Sequence, residues 1–148
     1  MDFLPWREDH RSTEVALTSP SLDRIAAERF KWAVLGDAVS DDLGLWEPLW
    51  AANSEFPNLD SEERETMTIA LLRELFSSGF ILFYRKVGRP TDLGDVAGPA
   101  ISSDEVEAAF RERWWRSVPL GQPDDGRRVW ISATERGRNA YFAPAKPA

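Results

Sequence analysis

A chain of 148 residues is the length of one domain, and with 43% hydrophobic and 29% charged residues it can bury a core unaided, which excludes wholesale disorder. The absence of cysteine excludes disulfides, zinc–thiolate sites, iron–sulfur clusters and thiol nucleophiles, and a single histidine, His10, excludes a multi-histidine metal site. Eighteen basic against 25 acidic residues leave a net charge of −7, a poor starting point for binding nucleic acid.

Residues 1–20 mix apolar and charged side chains and end in Ser19-Pro20. They read as an N-terminal arm that Phe3 and Trp6 anchor to the body, because a large aromatic is costly to leave in water. No basic leader with an apolar run occurs, nor any 18-residue apolar stretch, so a cytoplasmic location without a membrane span is expected.

Ser19 or Ser21 is placed to cap a first helix, with Asp23 in its first turn. Leu22, Ile25, Ala26, Phe30, Ala33 and Val34 recur at helical spacing, and Gly36 marks its expected end. A second helix starts near Leu45 with Pro48 in its first turn and stops at Pro57. Its Trp46, Leu49 and Trp50 share a side, which predicts a core contact.

Asp60 or Ser61 caps a third helix, on which Met67, Ala70, Leu71 and Leu75 trace the apolar side and after which Gly79 is a natural terminator. Phe80–Tyr84 then changes period and predicts a strand. Residues 88–100 are rich in Gly and Pro and read as loop. Ser102 and Glu105 form a capping box for a helix that carries Val106, Ala109, Phe110 and Trp114 and ends before Pro119. Arg128–Ser132 predicts a second strand, antiparallel to the first. Thr134 caps a last short helix holding Ala140, Tyr141 and Phe142, and residues 144–148 form a tail.

Two of these segments carry a resemblance. Leu71-Leu72-Arg73-Glu74-Leu75-Phe76-Ser77-Ser78-Gly79-Phe80-Ile81 is similar to the passage of bacterial winged-helix transcription regulators in which the third helix ends in glycine and enters the first wing strand. Val129-Trp130-Ile131-Ser132-Ala133-Thr134-Glu135-Arg136-Gly137-Arg138 resembles the returning wing strand and the Thr-capped helix whose Gly packs closely. The resemblance covers roughly residues 43–142. It implies a mostly helical α+β domain over residues 21–143: a winged-helix-like three-helix core, a two-stranded antiparallel wing and an N-terminal helical extension. Residues 88–125 would be a wing insertion containing a helix. One departure bears on activity: Ser61–Ser78 carries four Glu against two Arg, whereas the family's recognition helix is usually basic or polar where it meets DNA.

Charge is distributed unevenly. Residues 21–58 hold seven acids and three bases, and residues 119–148 hold three acids and five bases. The acidic stretch names Asp41, Asp42, Glu47 and Glu55 as candidates for contact with a basic protein partner, such as the nucleic-acid-binding surface of another protein. Trp115, next to Trp114 on a helix where neighbours point about 100° apart, is expected at a margin, over the arm or against a partner. In a DNA-binding reading Arg127 and Arg128 at the wing reach phosphate or the minor groove. No GxSxG, P-loop or GxGxxG motif is present, and no catalytic residue, cofactor or metal ligand is assigned. The reading that results is a non-catalytic, acidic protein-binding module, an inhibitor, immunity-type or adaptor protein, with a DNA-binding regulator as the alternative.

Overall fold

A computed structural model describes residues 23–87, 96–112 and 128–143. In chain order its elements are α1 (Arg24–Ser40), β1 (Leu43–Gly44), α2 (Trp46–Glu55), α3 (Ser61–Ser77), β2 (Ile81–Val87), β3 (Val96–Ala100), α4 (Ser103–Arg111), β4 (Val129–Ala133) and α5 (Glu135–Phe142). The fold is α+β and mostly helical, with a small antiparallel sheet in the order β1-β4-β2-β3.

Local chemistry sets most helix starts. Asp60 and Ser102 each accept from the N3 amide while Glu63 and Glu105 reach back to the cap amide, two complete capping boxes. Thr134 accepts from Gly137 N at 2.9 Å and opens α5. At α1 the expected serine cap is corrected: Asp23 itself is the cap and accepts from Ile25 N at 2.9 Å. An aspartate directly before the first apolar turn outcompetes serines two and four residues back. α3 ends as expected. Gly79 takes φ +77°, Phe80 N donates to Leu75 O and Gly79 N to Phe76 O, the paired bonds of a Schellman motif.

Two other expectations are corrected. α1 does not end at Gly36 but runs through it to Ser40. A Cβ at Gly36 would lie 2.7 Å from the Tyr141 ring, so the glycine marks close approach of α5 rather than a helix end. Residues 96–100 are strand β3, not loop, despite Gly98 and Pro99. β3 is an edge strand, where a missing N–H costs the sheet least. α4 stops at Arg111, with Glu112 already extended; Trp114, which the helix is expected to carry, lies outside the described residues.

The predicted pairing of the third-helix strand with the returning strand is present. β2 and β4 run antiparallel with Ile81 opposite Ala133, Phe83 opposite Ile131 and Tyr84 opposite Trp130. The sheet has two strands more than expected, since β1 joins β4 and β3 joins β2. Alternation turns Ile81, Phe83, Val129 and Ile131 toward the helices, where they pack with Phe30, Leu35, Leu49, Met67, Leu72, Val106 and Phe110. Each such side chain is worth about 1.5–3 kcal/mol relative to exposure. Thr134 ties the two ends of this unit together. Its Oγ1 donates to Gly79 O at 2.6 Å and its N–H to Phe80 O at 3.0 Å, joining the start of α5 to the start of β2.

Candidate interaction surfaces

The structure gives the four acids named from sequence different surroundings. Asp41 is exposed just after α1, and its Oδ1 accepts from Asp42 N at 2.8 Å. The Asp42 carboxylate accepts the hydroxyl of Tyr84. Burial first, and then that carboxylate, pushes the Tyr84 phenol well above its ordinary 10.0. Glu47 lies in the first turn of α2, and its Oε2 accepts from Gly44 N at 2.8 Å, closing the β1–α2 corner. Asp42 and Glu47 therefore hold the chain together as well as carrying charge. Glu55 ends α2, about 12 Å along the helix axis from Glu47, and is exposed.

Glu55 instead joins acids that the sequence reading did not group with it. Across the α2–α3 turn Asp60 and Glu62 are also exposed, and Asp60 and Glu63 form the capping box of α3. The two arginines of α3 are bonded within the chain. Arg64 donates from Nε to Asn53 Oδ1 at 2.9 Å and from its terminal nitrogen to the carbonyls of Phe56 and Leu59. Arg73 forms a two-bonded fork with Glu107 of α4, at 2.9 and 2.7 Å, and lies 5.6 Å from the centre of the Phe110 ring. The helix thus uses its cations internally and presents carboxylates at its N-terminal end.

Arg128 is half-buried, with its guanidinium 5.7 Å from the centre of the Trp46 ring. Trp46 stacks edge-on to Trp130 at 5.1 Å and meets Trp50 at 6.4 Å, while Lys86 Nζ sits 3.6 Å over Trp130. By strand alternation Trp130 and Tyr84 are on the sheet face opposite the helical core. Leu49 and Trp46 are buried, as expected for the apolar side of α2, with Trp46 packed in this aromatic group rather than in the main cluster; Trp50 is only half-buried. Trp115, Arg127, the arm at 1–20 and the tail at 144–148 lie outside the described residues.

Among the described residues no three His, Cys, Asp or Glu side chains come together to hold a metal ion, and no helix is long and apolar enough to cross a membrane. Compared with family models, with curated proteins and with solved structures, the chain matches none of them.

Proposed function

We propose that this chain is a non-catalytic, acidic protein-binding module on a winged-helix-like scaffold, and that its partner presents a basic surface such as the nucleic-acid-binding face of another protein. The observation that carries the reading is the state of α3. Arg64 and Arg73 are both bonded within the chain, while Asp60 and Glu62 are exposed at the start of the helix that a DNA reader would offer to the groove, and Glu55 is exposed at the end of α2 before it. A helix so arranged repels phosphate and attracts cations. The antiparallel β2–β4 pair following α3, and the Thr134 link between the two segments that carry the family resemblance, support the scaffold.

A photo-crosslinking residue placed at position 55, 62 or 115 of the full chain in its native host tests the reading, with position 104 on α4 as the control. Adducts to a basic protein from 55 and 62, and none from 104, are expected. Retention of duplex DNA at sub-micromolar concentration would replace this reading with the DNA-binding one through Arg127 and Arg128.

A further inference from the structure

Ile25, Arg29, Ala33 and Asp37 recur at every fourth residue of α1 and all four are exposed, so they form one ridge along the helix, while Phe30, Val34 and Ala38 face the core. The two charges on the ridge have no partner on their own helix. Arg29 has no acid, and Asp37 no base, three or four residues away, the spacings at which helical neighbours pair. Neither side chain makes a hydrogen bond or an ion pair within the described residues. Arg138 of α5 reaches the Val39 carbonyl at 3.5 Å, and Val39 lies about 200° around α1 from Asp37. Arg29 and Asp37 are two turns apart, about 12 Å, too far to meet each other, and Ala33 stands midway between them. Beside the ridge the Tyr141 ring packs on Gly36, and the Phe142 ring, 5.2 Å from it, is 65% exposed. Ile25 and Phe142 are the large apolar side chains left exposed among the described residues.

We propose that this ridge is the contact of a weak homodimer, in which α1 packs antiparallel on α1 of a second copy about a two-fold axis at Ala33. Reversal about Ala33 brings Arg29 of each copy to Asp37 of the other, so one surface supplies both charges of both pairs, as a two-fold interface requires. The order of the residues selects this register, because centring the pair on Arg29 or on Asp37 sets like charges face to face. Ala33 at the axis is small enough to let the helices approach to about 8 Å, and ridges of every fourth residue interlock at a crossing of about 50°, the commonest helix packing. At that crossing about two turns touch. Asp23, Arg24 and Asp41, at the two ends of α1, are about 12 Å or more from Ala33 and stay outside. Glu28 and Lys31 are paired with each other on the side that faces α3. The charges within the contact therefore sum to zero, which lets two chains of −7 associate once salt screens the remainder. Phe142 flanks the crossing and is covered by the second copy. One helix pair and two flanking rings lie at the small end of interfaces, below about 1,200 Å², which makes the dimer weak.

The contact uses none of the residues assigned to the basic partner, so either proposal stands if the other fails. Sedimentation velocity of the full chain at physiological salt, from about 10 μM to about 1 mM, should show a monomer–dimer equilibrium. Arg29→Asp and Asp37→Arg should each move its midpoint to at least about tenfold higher concentration, because each turns two attractive pairs into two repulsive ones. An equimolar mixture of the two single variants should dimerise again, since one chain then offers acids at both positions and the other bases. The chain has no cysteine, so Ala33→Cys gives a clean second probe. Mild oxidation should link two copies at the axis, whereas Ser40→Cys, exposed about 10 Å further along the same helix, should stay unlinked because its sulfurs are beyond disulfide reach. Circular dichroism identifies any charge variant that fails to fold, and the parent equilibrium with the two cysteine variants then decides. A parent that stays monomeric at the highest concentration, single variants that dimerise like the parent, a mixture that does not recover, or equal cross-linking at positions 33 and 40 each overturns the proposal.

Discussion

Arg73 on α3 and Glu107 on α4 meet through two parallel hydrogen bonds of 2.9 and 2.7 Å across 34 residues of chain. The pair fastens the segment between β2 and β4 to the helix that precedes it, beside the buried contacts of Val106, Ala109 and Phe110. Both side chains are more than a third exposed, which screens the pair, so Glu107→Gln should cost only about 0.5–1 kcal/mol in urea denaturation at neutral pH. The Arg73 guanidinium holds the Glu107 carboxyl below its ordinary 4.5, against the opposing effect of partial burial. A carboxyl with a depressed folded-state pKa stabilises the fold above its unfolded value and stops doing so as pH falls through the folded one. The difference between parent and Glu107→Gln should therefore be constant above about pH 5.5 and shrink once the pH drops below 4.5.

Tyr84 and Asp42 give the opposite sign. Burial and the Asp42 carboxylate raise the phenol above its ordinary 10.0, so the protonated form stabilises the fold below pH 10 and the contribution fades as the phenol ionises at higher pH. Tyr84→Phe should cost about 0.5–1.5 kcal/mol at neutral pH, the net worth of one hydrogen bond, since water reaches the exposed Asp42 carboxylate. That cost should narrow in strongly alkaline solution. Asp42→Asn keeps an acceptor and should cost less, and ultraviolet titration should then show Tyr84 ionising earlier than in the parent.

Two glycines should respond to alanine for different reasons. Gly79 sits at φ +77°, a conformation that costs an L-residue about 1–2 kcal/mol, so Gly79→Ala should lose roughly that amount and Gly79→Asn less. Gly137 lies against the Phe80 carbonyl at the Thr134 junction, and a Cβ there would overlap backbone that cannot rotate away. Gly137→Ala should cost more, about 3 kcal/mol, by forcing α5 off β2. Equilibrium unfolding of both variants checks the order, and a Gly137→Ala protein as stable as Gly79→Ala would show that the junction can shift.

What could be read from the sequence was local. The caps at Asp60, Ser102 and Thr134 satisfy amides three residues on, and the change of period at Phe80 is visible within five residues. What could not be read lay far along the chain. Gly36 resembled a helix stop because its reason for being small, the Tyr141 ring, stands 105 residues later. Pro99 and Gly98 suggested a loop because nothing local reveals that β3 lies at a sheet edge. Among the candidate residues, Asp42 and Glu47 looked like a free acidic face. Their engagement depends on Tyr84 and on a two-residue strand too short to leave a periodic signal. Arg64 and Arg73 counted as unpaired charge in a sum over the helix, whereas their partners come from α2, the loop after it and α4.

Duplex DNA should bind no tighter than about 10⁻⁴ M at physiological salt, the weak end of non-specific binding. α3 has both its cations bonded within the chain and exposed acids at its start, and Arg128 already lies on Trp46. An anisotropy titration with random duplex measures this. If sub-micromolar binding were found, Arg127→Ala with Arg128→Ala should weaken it and flatten the salt slope, as loss of phosphate contacts requires.

Association with a basic partner should instead depend on the acids at the α2–α3 turn. Glu55→Lys with Glu62→Lys reverses two exposed charges that make no hydrogen bond within the described residues, so the fold should tolerate the change. Exposed charge acts mainly on encounter, and salt screens it over about 8–10 Å. The double variant should therefore slow association several-fold at low salt, change dissociation little, and approach the parent as ionic strength rises. Trp115→Ala should show the reverse pattern if its ring is a contact, since truncating a buried anchor acts on dissociation. Asp42→Asn provides the internal comparison, because it removes an exposed charge that lies after α1 and not at the α2–α3 turn. A surface-plasmon series over ionic strength in which Glu55→Lys with Glu62→Lys associates as fast as the parent at low salt would exclude the α2–α3 turn as the steering surface.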